Sequence, residues 1–177
     1  MYKGTGASPG IALGKALVIE HSELVIEKKT IENIDKEIQK LESAVKVSKE
    51  ELTKVKEKAL AELGEHEAEI FEAHLLVLED PELLESAVCK INDEKVNADY
   101  ALNEIKEMFV AMFESMDNEY MRERAADIKD VTNRVLRHIL GIKVVDLAGL
   151  DEEVVLIAHD LTPSDTATMN KNMVLGF

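Results

Sequence analysis

The stretch EVVLIAHDLTPSDTATMNKNMVLGF, residues 153–177, decides the fold class. It opens with a continuous apolar run of strand length (153–159), which predicts a strand buried on both faces. Thr162 and Pro163 then supply a helix N-cap and a first helical residue, and residues 173–177 begin another apolar strand. The stretch therefore predicts a strand, a short helix and a second strand, in that order.

The first 29 residues share this β character. They are rich in glycine and β-branched residues, and the segments GKALVIE (14–20) and ELVIEKK (23–29) are typical of short strands. Turn-forming residues at 8–10 and 21–22 bound these segments. Both ends of the sequence are therefore expected to contribute strands to one α/β unit.

Residues 30–141 have a helical pattern instead. From Ile31 to Leu63, apolar residues recur at alternating spacings of three and four, and Thr30 is the expected N-cap. The expected boundaries of the later helices are Gly64, Asp80-Pro81, Asn97, Asn118 and Gly141. Inward-facing positions are expected to include Ile70, Phe71, His74, Leu75, Leu78 and Met121, together with the series Met108, Met112 and Met116, whose spacing also suits an adaptable binding groove.

The predicted fold is therefore α+β and mostly α. A helical bundle, residues 30–141, is inserted into an α/β domain made of residues 1–29 and 142–177. Short polar links between the helices are typical of antiparallel neighbours in a bundle.

The composition limits the possible functions. The 177 residues carry a formal net charge of -15, which argues against nucleic acid and membrane insertion and favours a basic protein partner or simply high solubility. The single cysteine, Cys89, excludes an intrachain disulfide, favours a reducing compartment and is expected to be a packing residue. No stretch is long enough to span a bilayer and no signal peptide is evident, so a cytoplasmic protein is expected.

Few residue groups suggest chemistry. The histidines are His21, His66, His74, His138 and His159. His66 and Glu69 share a helix face, but no third ligand stands at a suitable spacing, so no metal site is expected. No catalytic triad, phosphate-binding glycine loop or Walker motif occurs, and GTGASPG (4–10) is interpreted as a turn between strands.

The segment around Asp80-Pro81 is more unusual. Leu76 and Val77 lie off the predicted inward stripe, just before the helix break, and Leu83 follows the break. Apolar residues at such a corner, surrounded by glutamates, suggest a docking site with these three residues at its centre. The alternative is a second packing contact inside the bundle.

Several motifs resemble those of one family. They are ASPGIALGKA (7–16), IFEAHLLVLEDPEL (70–83), NEYMRERAADIKD (118–130), RHILG (137–141), and AHDLTPSDTA (158–167) followed by VLGF (174–177). Together, and in this order, they resemble Enzyme I of the bacterial phosphoenolpyruvate-dependent sugar phosphotransferase system. The resemblance covers essentially the whole chain.

The resemblance implies a swivelling phosphohistidine domain of α/β type with a helical, HPr-binding subdomain inserted into it. In this family a phosphoryl group passes from phosphoenolpyruvate to a histidine, and then to a histidine of the phosphocarrier protein HPr. The carrier histidine belongs to a GGRTSH segment that follows VLGF, and a C-terminal barrel binds phosphoenolpyruvate and Mg²⁺ and forms the homodimer. None of the five histidines here matches that position. Residues 1–177 are therefore expected to be an N-terminal fragment that docks HPr, is inactive alone and holds no cofactor.

The resemblance also implies roles for individual residues. Thr166 matches a threonine whose hydroxyl hydrogen-bonds the active histidine and helps to hold its tautomer. The implied HPr-facing positions are Glu65, His74, Leu76, Val77, Glu82, Leu83, Phe113, Tyr120 and Arg124. HPr surfaces around the carrier histidine are typically basic, which suits an acidic partner.

Two other interpretations stay open. One is the nitrogen-related paralogue of Enzyme I, which usually carries a sensor domain before the first strand; here Met1-Tyr2 leads straight into the expected strand. The other is an acidic helical interaction module without phosphoryl chemistry, for which neither the flanking strands nor the TPSDTA turn (162–167) is needed.

Overall fold

The computed structural model describes residues 6, 8–19, 24–142, 145, 147–159 and 161–177. Its helices are α1 (Ile34–Glu62), α2 (Glu65–Glu79), α3 (Pro81–Glu94), α4 (Ala98–Glu114), α5 (Glu119–Leu140) and α6 (Pro163–Thr168). Its strands are β1 (Lys15–Ile19), β2 (Val154–Ala158) and β3 (Val174–Gly176). This mostly helical fold with a small sheet confirms the predicted class.

The three strands form one parallel sheet in the order β1-β2-β3. Lys15 lies opposite Val154, and Ile19 lies opposite Ala158. Strands β2 and β3 can pair in parallel because the segment containing α6 carries the chain back between them. The expected order of strand, helix and strand in residues 153–177 is thus confirmed.

Strand β2 is buried on one face only, so the prediction of burial on both faces is wrong. Val154 and Leu156 are buried, whereas Ile157 is about half exposed. Alternate side chains of a strand point to opposite faces, so one face of β2 packs into the core. That core consists of Ile19, Leu147, Val154, Leu156 and Met169.

Helix α1 begins after Asn33 rather than after Thr30. The Asn33 side chain accepts a hydrogen bond of 2.9 Å from the amide of Lys36 and so caps the helix. Thr30 forms an isolated antiparallel bridge with Val96 instead. The expected N-cap was wrong because the apolar stripe extends one turn further than the helix itself.

Residues 24–29, which were predicted to belong to a strand, form no strand. Asn97 holds this segment: its amide donates to the Lys29 carbonyl (3.2 Å), and its side chain accepts from the Lys29 amide (2.7 Å). The Asn97 side chain also donates to the Glu27 carbonyl (3.0 Å). These bonds satisfy backbone groups that would otherwise need a partner strand. Asn97 precedes α4 as expected, but its side chain does not cap that helix.

Other helix boundaries agree with the sequence-based expectations. Asp80 accepts from the Glu82 amide (2.8 Å) at the start of α3, with Pro81 in the first turn. Asn118 caps α5, and Gly141 ends it with a left-handed φ of 68°. Such boundaries are predictable because each depends on one residue type and its immediate neighbours.

The chain divides into two compact units: Met1–Ser22 with Val145–Phe177, and Glu23–Val144. The second unit contains α1 to α5. Its largest fully buried side chains are Leu41, Leu52, Phe71, Leu78, Ile91, Leu102 and Leu136. Over the described ranges, no helix is both long and apolar enough to cross a bilayer.

Some positions expected to face inward are exposed instead. These are Ile70, Cys89, Met108, Met112 and Met121. In α4 the buried face is centred on Leu102, Phe109 and Val110. Spacing alone predicts a stripe but not how widely the neighbouring helices cover it, and here the two methionines fall at its uncovered edge.

Candidate docking surface

A sharp corner joins α2 to α3. Asp80 ends α2 with an extended backbone (φ -65°, ψ 112°) and also caps α3. Because Pro81 has no amide hydrogen, it fits the first turn of α3 but could not continue α2. The two residues therefore place the end of α2 and the start of α3 side by side.

An apolar cluster lies beneath this corner. Leu83 from α3 packs with residues of α4 and α5: Phe109, Val110, Ala125 and Ile128. Val77 and Phe113 are half-buried against the same cluster. The structure thus brings together three of the predicted site residues, Val77, Leu83 and Phe113, mainly through packing.

Leu83 is only 3% exposed, so the expectation that it projects from the corner is wrong. Pro81 starts the new helix, and Leu83, two residues later, points into the bundle. The alternative interpretation, a packing contact inside the bundle, holds for this residue. Its contribution to partner binding stays a prediction.

Leu76 behaves differently, since it is 64% exposed in the last turns of α2. Glu65 and Glu82 are also exposed, as is the ring of Tyr120. Glu82 follows Leu76 across the corner, whereas Glu65 begins α2, about 20 Å from the corner at the helical rise per residue. An exposed leucine near a carboxylate is typical of a protein contact rather than of a catalytic centre.

His74 is buried, with 1% exposure, so it is not a surface residue as the resemblance implied. Its position on the inward stripe of α2 is confirmed. Its Nε2 lies 3.3 Å from an Asp127 carboxylate oxygen, and its Nδ1 lies 3.8 Å from Asp130. The ring of Phe71 meets the imidazole edge-on at a centroid distance of 5.9 Å. His74 therefore ties α2 to α5.

Asp127 extends this contact toward the surface. Arg124 Nη1 donates to Asp127, three residues later in α5, at 2.9 Å. Burial alone would raise the pKa of the Asp127 carboxyl, but hydrogen bonds from His74 and Arg124 outweigh it, and this pKa lies below its ordinary value of 3.8. The carboxylate thus stays ionised between the two donors.

Arg124 also contacts Tyr120, one turn earlier in α5. It donates a hydrogen bond to the phenolic oxygen, and its guanidinium carbon lies 4.8 Å from the ring centroid. The hydrogen bond to Tyr120 is the main reason that the pKa of Arg124 is raised above its usual value. A chain of contacts from buried His74 to exposed Tyr120 therefore holds the arginine in one orientation beside the corner.

The sequence patterns did not reveal that Asp127 and Asp130 face His74. The density of charge in the motif NEYMRERAADIKD (118–130) is typical of a solvated helix face, and the pairing of its aspartates with another helix depends on tertiary packing. Among the described residues, no group of three or more histidine, cysteine, aspartate or glutamate side chains is arranged to hold a metal ion.

Thr166 lies in the other unit, in the short helix α6. A capping box starts this helix: Thr162 accepts from the Asp165 amide (3.2 Å), and Asp165 accepts from the Thr162 amide (2.9 Å). The half-buried Thr166 hydroxyl donates to the Pro163 carbonyl at 2.9 Å. Its lone pairs stay available to another donor.

Comparison with known proteins defines the family. The family described as PEP-utilising enzyme, N-terminal, matches residues 3–124. The NMR solution structure of Enzyme I (nEIt) superposes with a TM-score of 0.89 at 51% identity, covering 100% of this chain and 72% of the other. The chain belongs to the Enzyme I family. It corresponds to the N-terminal region of these proteins.

Curated Enzyme I relatives support this assignment. Phosphoenolpyruvate-protein phosphotransferase of Bacillus subtilis is 55% identical over 175 residues, 99% of this chain and 31% of that protein. The Staphylococcus aureus protein of the same name is 48% identical over 178 residues. The chain thus spans about a third of the length of the curated relatives it matches. The N-terminal domain of Enzyme 1 - Nitrogen shares the fold, with a TM-score of 0.72 at 21% identity.

Proposed function

We propose that this chain is the HPr-docking, N-terminal part of a phosphoenolpyruvate-protein phosphotransferase. In the whole protein, a histidine takes the phosphoryl group from phosphoenolpyruvate and passes it to HPr. The observation that carries this proposal is the corner between α2 and α3, where Leu76 is exposed on α2, together with Arg124 of α5, which Asp127 and Tyr120 hold in place. We expect this transfer in the cytoplasm, without membrane insertion or nucleic acid.

The charge of the chain supports a basic partner. A net charge of -15 attracts a cationic surface and raises the rate of encounter, and exposed Glu82 adds a carboxylate at the corner, whereas exposed Glu65 lies at the other end of α2. Interfaces commonly combine an apolar centre with a polar rim. Leu76 is the proposed centre, and half-buried Val77 and Phe113 extend it.

Thr166 is proposed to orient the carrier histidine. Its hydroxyl donates to the Pro163 carbonyl, so it would meet the histidine as an acceptor and bind the ring nitrogen that carries hydrogen. The other ring nitrogen then keeps its lone pair for attack on phosphorus. In a longer protein that includes the carrier histidine, Thr166→Val should slow phosphorylation while Thr166→Ser preserves it; equal rates would refute this role.

The Mg²⁺ and the homodimer of the full-length family are assigned to the proposed C-terminal barrel. The described residues offer no cluster suited to a metal ion.

The docking proposal can be tested by titration calorimetry with HPr. Leu76→Ala removes most of a side chain that is 64% exposed. Full burial of a leucine contributes ~1.5–3 kcal/mol, so covering this exposed portion contributes roughly 1–2 kcal/mol, or about 5- to 25-fold in affinity. Glu82→Gln should weaken binding less, and mainly at low salt, because exposed charge pairs contribute only ~0–1 kcal/mol.

Val25→Ala is the matched control, because Val25 is an exposed apolar residue of the segment that bonds Glu94 at the other end of α3 from the corner. It should leave HPr affinity unchanged. If Leu76→Ala and Val25→Ala bind equally well, the docking surface lies elsewhere. The absence of HPr binding by the parent chain would refute the proposal itself.

A second experiment concerns phosphoryl chemistry. A polypeptide of residues 1–177 should gain no phosphate from phospho-HPr in an intact-mass measurement, since none of its histidines matches the carrier motif. An acid-labile phosphate on any of them would contradict this expectation. If a longer protein containing GGRTSH bound HPr but could not be phosphorylated, the interaction-module interpretation would be preferred.

A further inference from the structure

Two methionines of α4 expose their side chains next to the docking surface. Met108 is 55% exposed and Met112 is 46% exposed, although neighbouring Phe109 and Val110 are buried. The methionines are four residues apart, so they lie on the same side of the helix, one turn from each other. They form an exposed pair of thioethers.

The contacts between α3 and α4 show where this pair lies. Leu83 packs with Phe109, and Lys90 lies 4.0 Å from Glu104, so the two helices run in opposite directions. Glu104 is one turn before Met108 on the same side of α4, which is therefore the side that faces α3. Met108 and Met112 continue this side toward the start of α3, where the exposed Glu82 lies.

We propose that Met108 and Met112 form a peroxide-sensitive modification site whose oxidation weakens HPr docking. This inference rests on the proposed function. A sulfur lone pair attacks one oxygen of hydrogen peroxide, the O–O bond breaks, and a sulfoxide and water result. The sulfur is oxidised by two electrons and the peroxide is reduced, so no further reactant is needed.

Oxidation changes what this part of the surface offers a partner. A thioether is apolar, flexible and polarisable, and it adapts to the shape that faces it. A sulfoxide is polar and must lose bound water to enter the same contact. We expect oxidation of both sulfurs to weaken HPr binding roughly 10-fold, which is the scale of desolvating one or two polar groups. Enzymatic reduction of the sulfoxides restores the thioethers, so the change is reversible.

Exposure should direct the reagent to these positions. Met169, in contrast, is buried in the core of the other unit and should react more slowly. Cys89 is exposed and also reacts with peroxide, so the experiment uses a Cys89→Ser background. Met121 of α5 is also exposed, so its rate of oxidation can be compared with the rates at Met108 and Met112.

The test compares HPr binding by calorimetry before and after mild hydrogen peroxide treatment, with peptide mass spectrometry to locate the sulfoxides. The parent should gain oxygen at Met108 and Met112 first and lose about 10-fold in affinity. The double variant Met108→Leu/Met112→Leu keeps apolar side chains at both positions, and its HPr affinity should be the same before and after the treatment. Methionine sulfoxide reductase should restore binding by the oxidised parent.

Three results would overturn the inference. Parent affinity that is unchanged by confirmed oxidation of both residues would refute it, and so would a double variant that loses affinity as much as the parent does. Loss of helical circular dichroism in the oxidised parent would show that unfolding, not docking, is responsible. If the untreated protein does not bind HPr, the proposed function itself fails. If the untreated protein binds HPr and oxidation leaves that binding unchanged, only the present inference fails.

Discussion

Replacing Leu83 by alanine separates packing from docking at the α2–α3 corner. Leu83 is 3% exposed and packs against Phe109, Val110 and Ile128. The substitution removes three carbon atoms, which at ~0.8 kcal/mol for each buried group is about 2.4 kcal/mol. Incomplete collapse of the cavity adds to this loss, and leucine-to-alanine changes in cores typically fall at 2–5 kcal/mol. We expect Leu83→Ala to lower the free energy of unfolding by about 3 kcal/mol.

Urea unfolding followed by far-UV circular dichroism measures this loss. With an m-value of ~1–3 kcal/mol/M, the midpoint should fall by roughly 1–3 M while the slope stays constant. Leu76→Ala is the matched control, since the same atoms are removed from a side chain that is 64% exposed, and it should change stability by less than ~0.5 kcal/mol. Equal effects of the two variants, or a loss below about 1 kcal/mol for Leu83→Ala, would refute the distinction between buried and exposed leucines.

Three further predictions concern charge and backbone conformation. The folded pKa of Asp127 lies below 3.8, so its contribution to stability is present above about pH 4 and is lost as pH falls through the folded pKa. Asp127→Asn should therefore flatten the acid-induced decline in the free energy of unfolding, measured by urea titrations at several pH values. A decline as steep as the parent's would contradict this prediction. Hydrogen bonds from Lys90 and Lys28 lower the pKa of Glu94 to about 2. An NMR titration should find that value in the parent, and Lys90→Ala should raise it toward 4.5. A parent value near 4.5 would count against the contact. Gly141 has a φ of 68°, so Gly141→Ala should lower the free energy of unfolding by about 1 kcal/mol and reduce the melting temperature. Gly6→Ala, with open space around it, is the control and should have little effect. Equal melting temperatures for the two variants would exclude backbone strain at Gly141.

Local signals predicted much of this fold. Asp80-Pro81, Gly141 and Thr162-Pro163 mark helix ends by chemistry that acts within one turn: a side-chain acceptor, a missing amide hydrogen or a left-handed backbone. The strand β1 (Lys15–Ile19) and the order of strand, helix and strand in residues 153–177 are also confirmed, because runs of apolar residues bounded by turn or cap residues are local signals too.

The features that were mispredicted depend on contacts between distant residues. Residues 24–29 have the composition of a strand, yet Asn97, some seventy positions later, satisfies their backbone. Leu76 and Leu83 both lie off the inward stripe predicted for α2, but only Leu83 is covered by residues of α4 and α5. A single stripe cannot show how many neighbours a helix has, so the candidate site could be predicted as a region but not residue by residue.

The parallel pairing of β1 with β2 has a consequence for folding. Lys15 and Glu152, whose side chains bond at 2.9 Å, are 137 positions apart, so the sheet has a high contact order, whereas helices form within microseconds from local contacts. At the usual ~5–20 residues per second of synthesis, β1 waits roughly 7–30 seconds on the ribosome for its partner strand. During that interval its apolar groups face solvent or chaperones, and its shortness, five residues, together with a charged first residue, limits mispairing with other nascent chains.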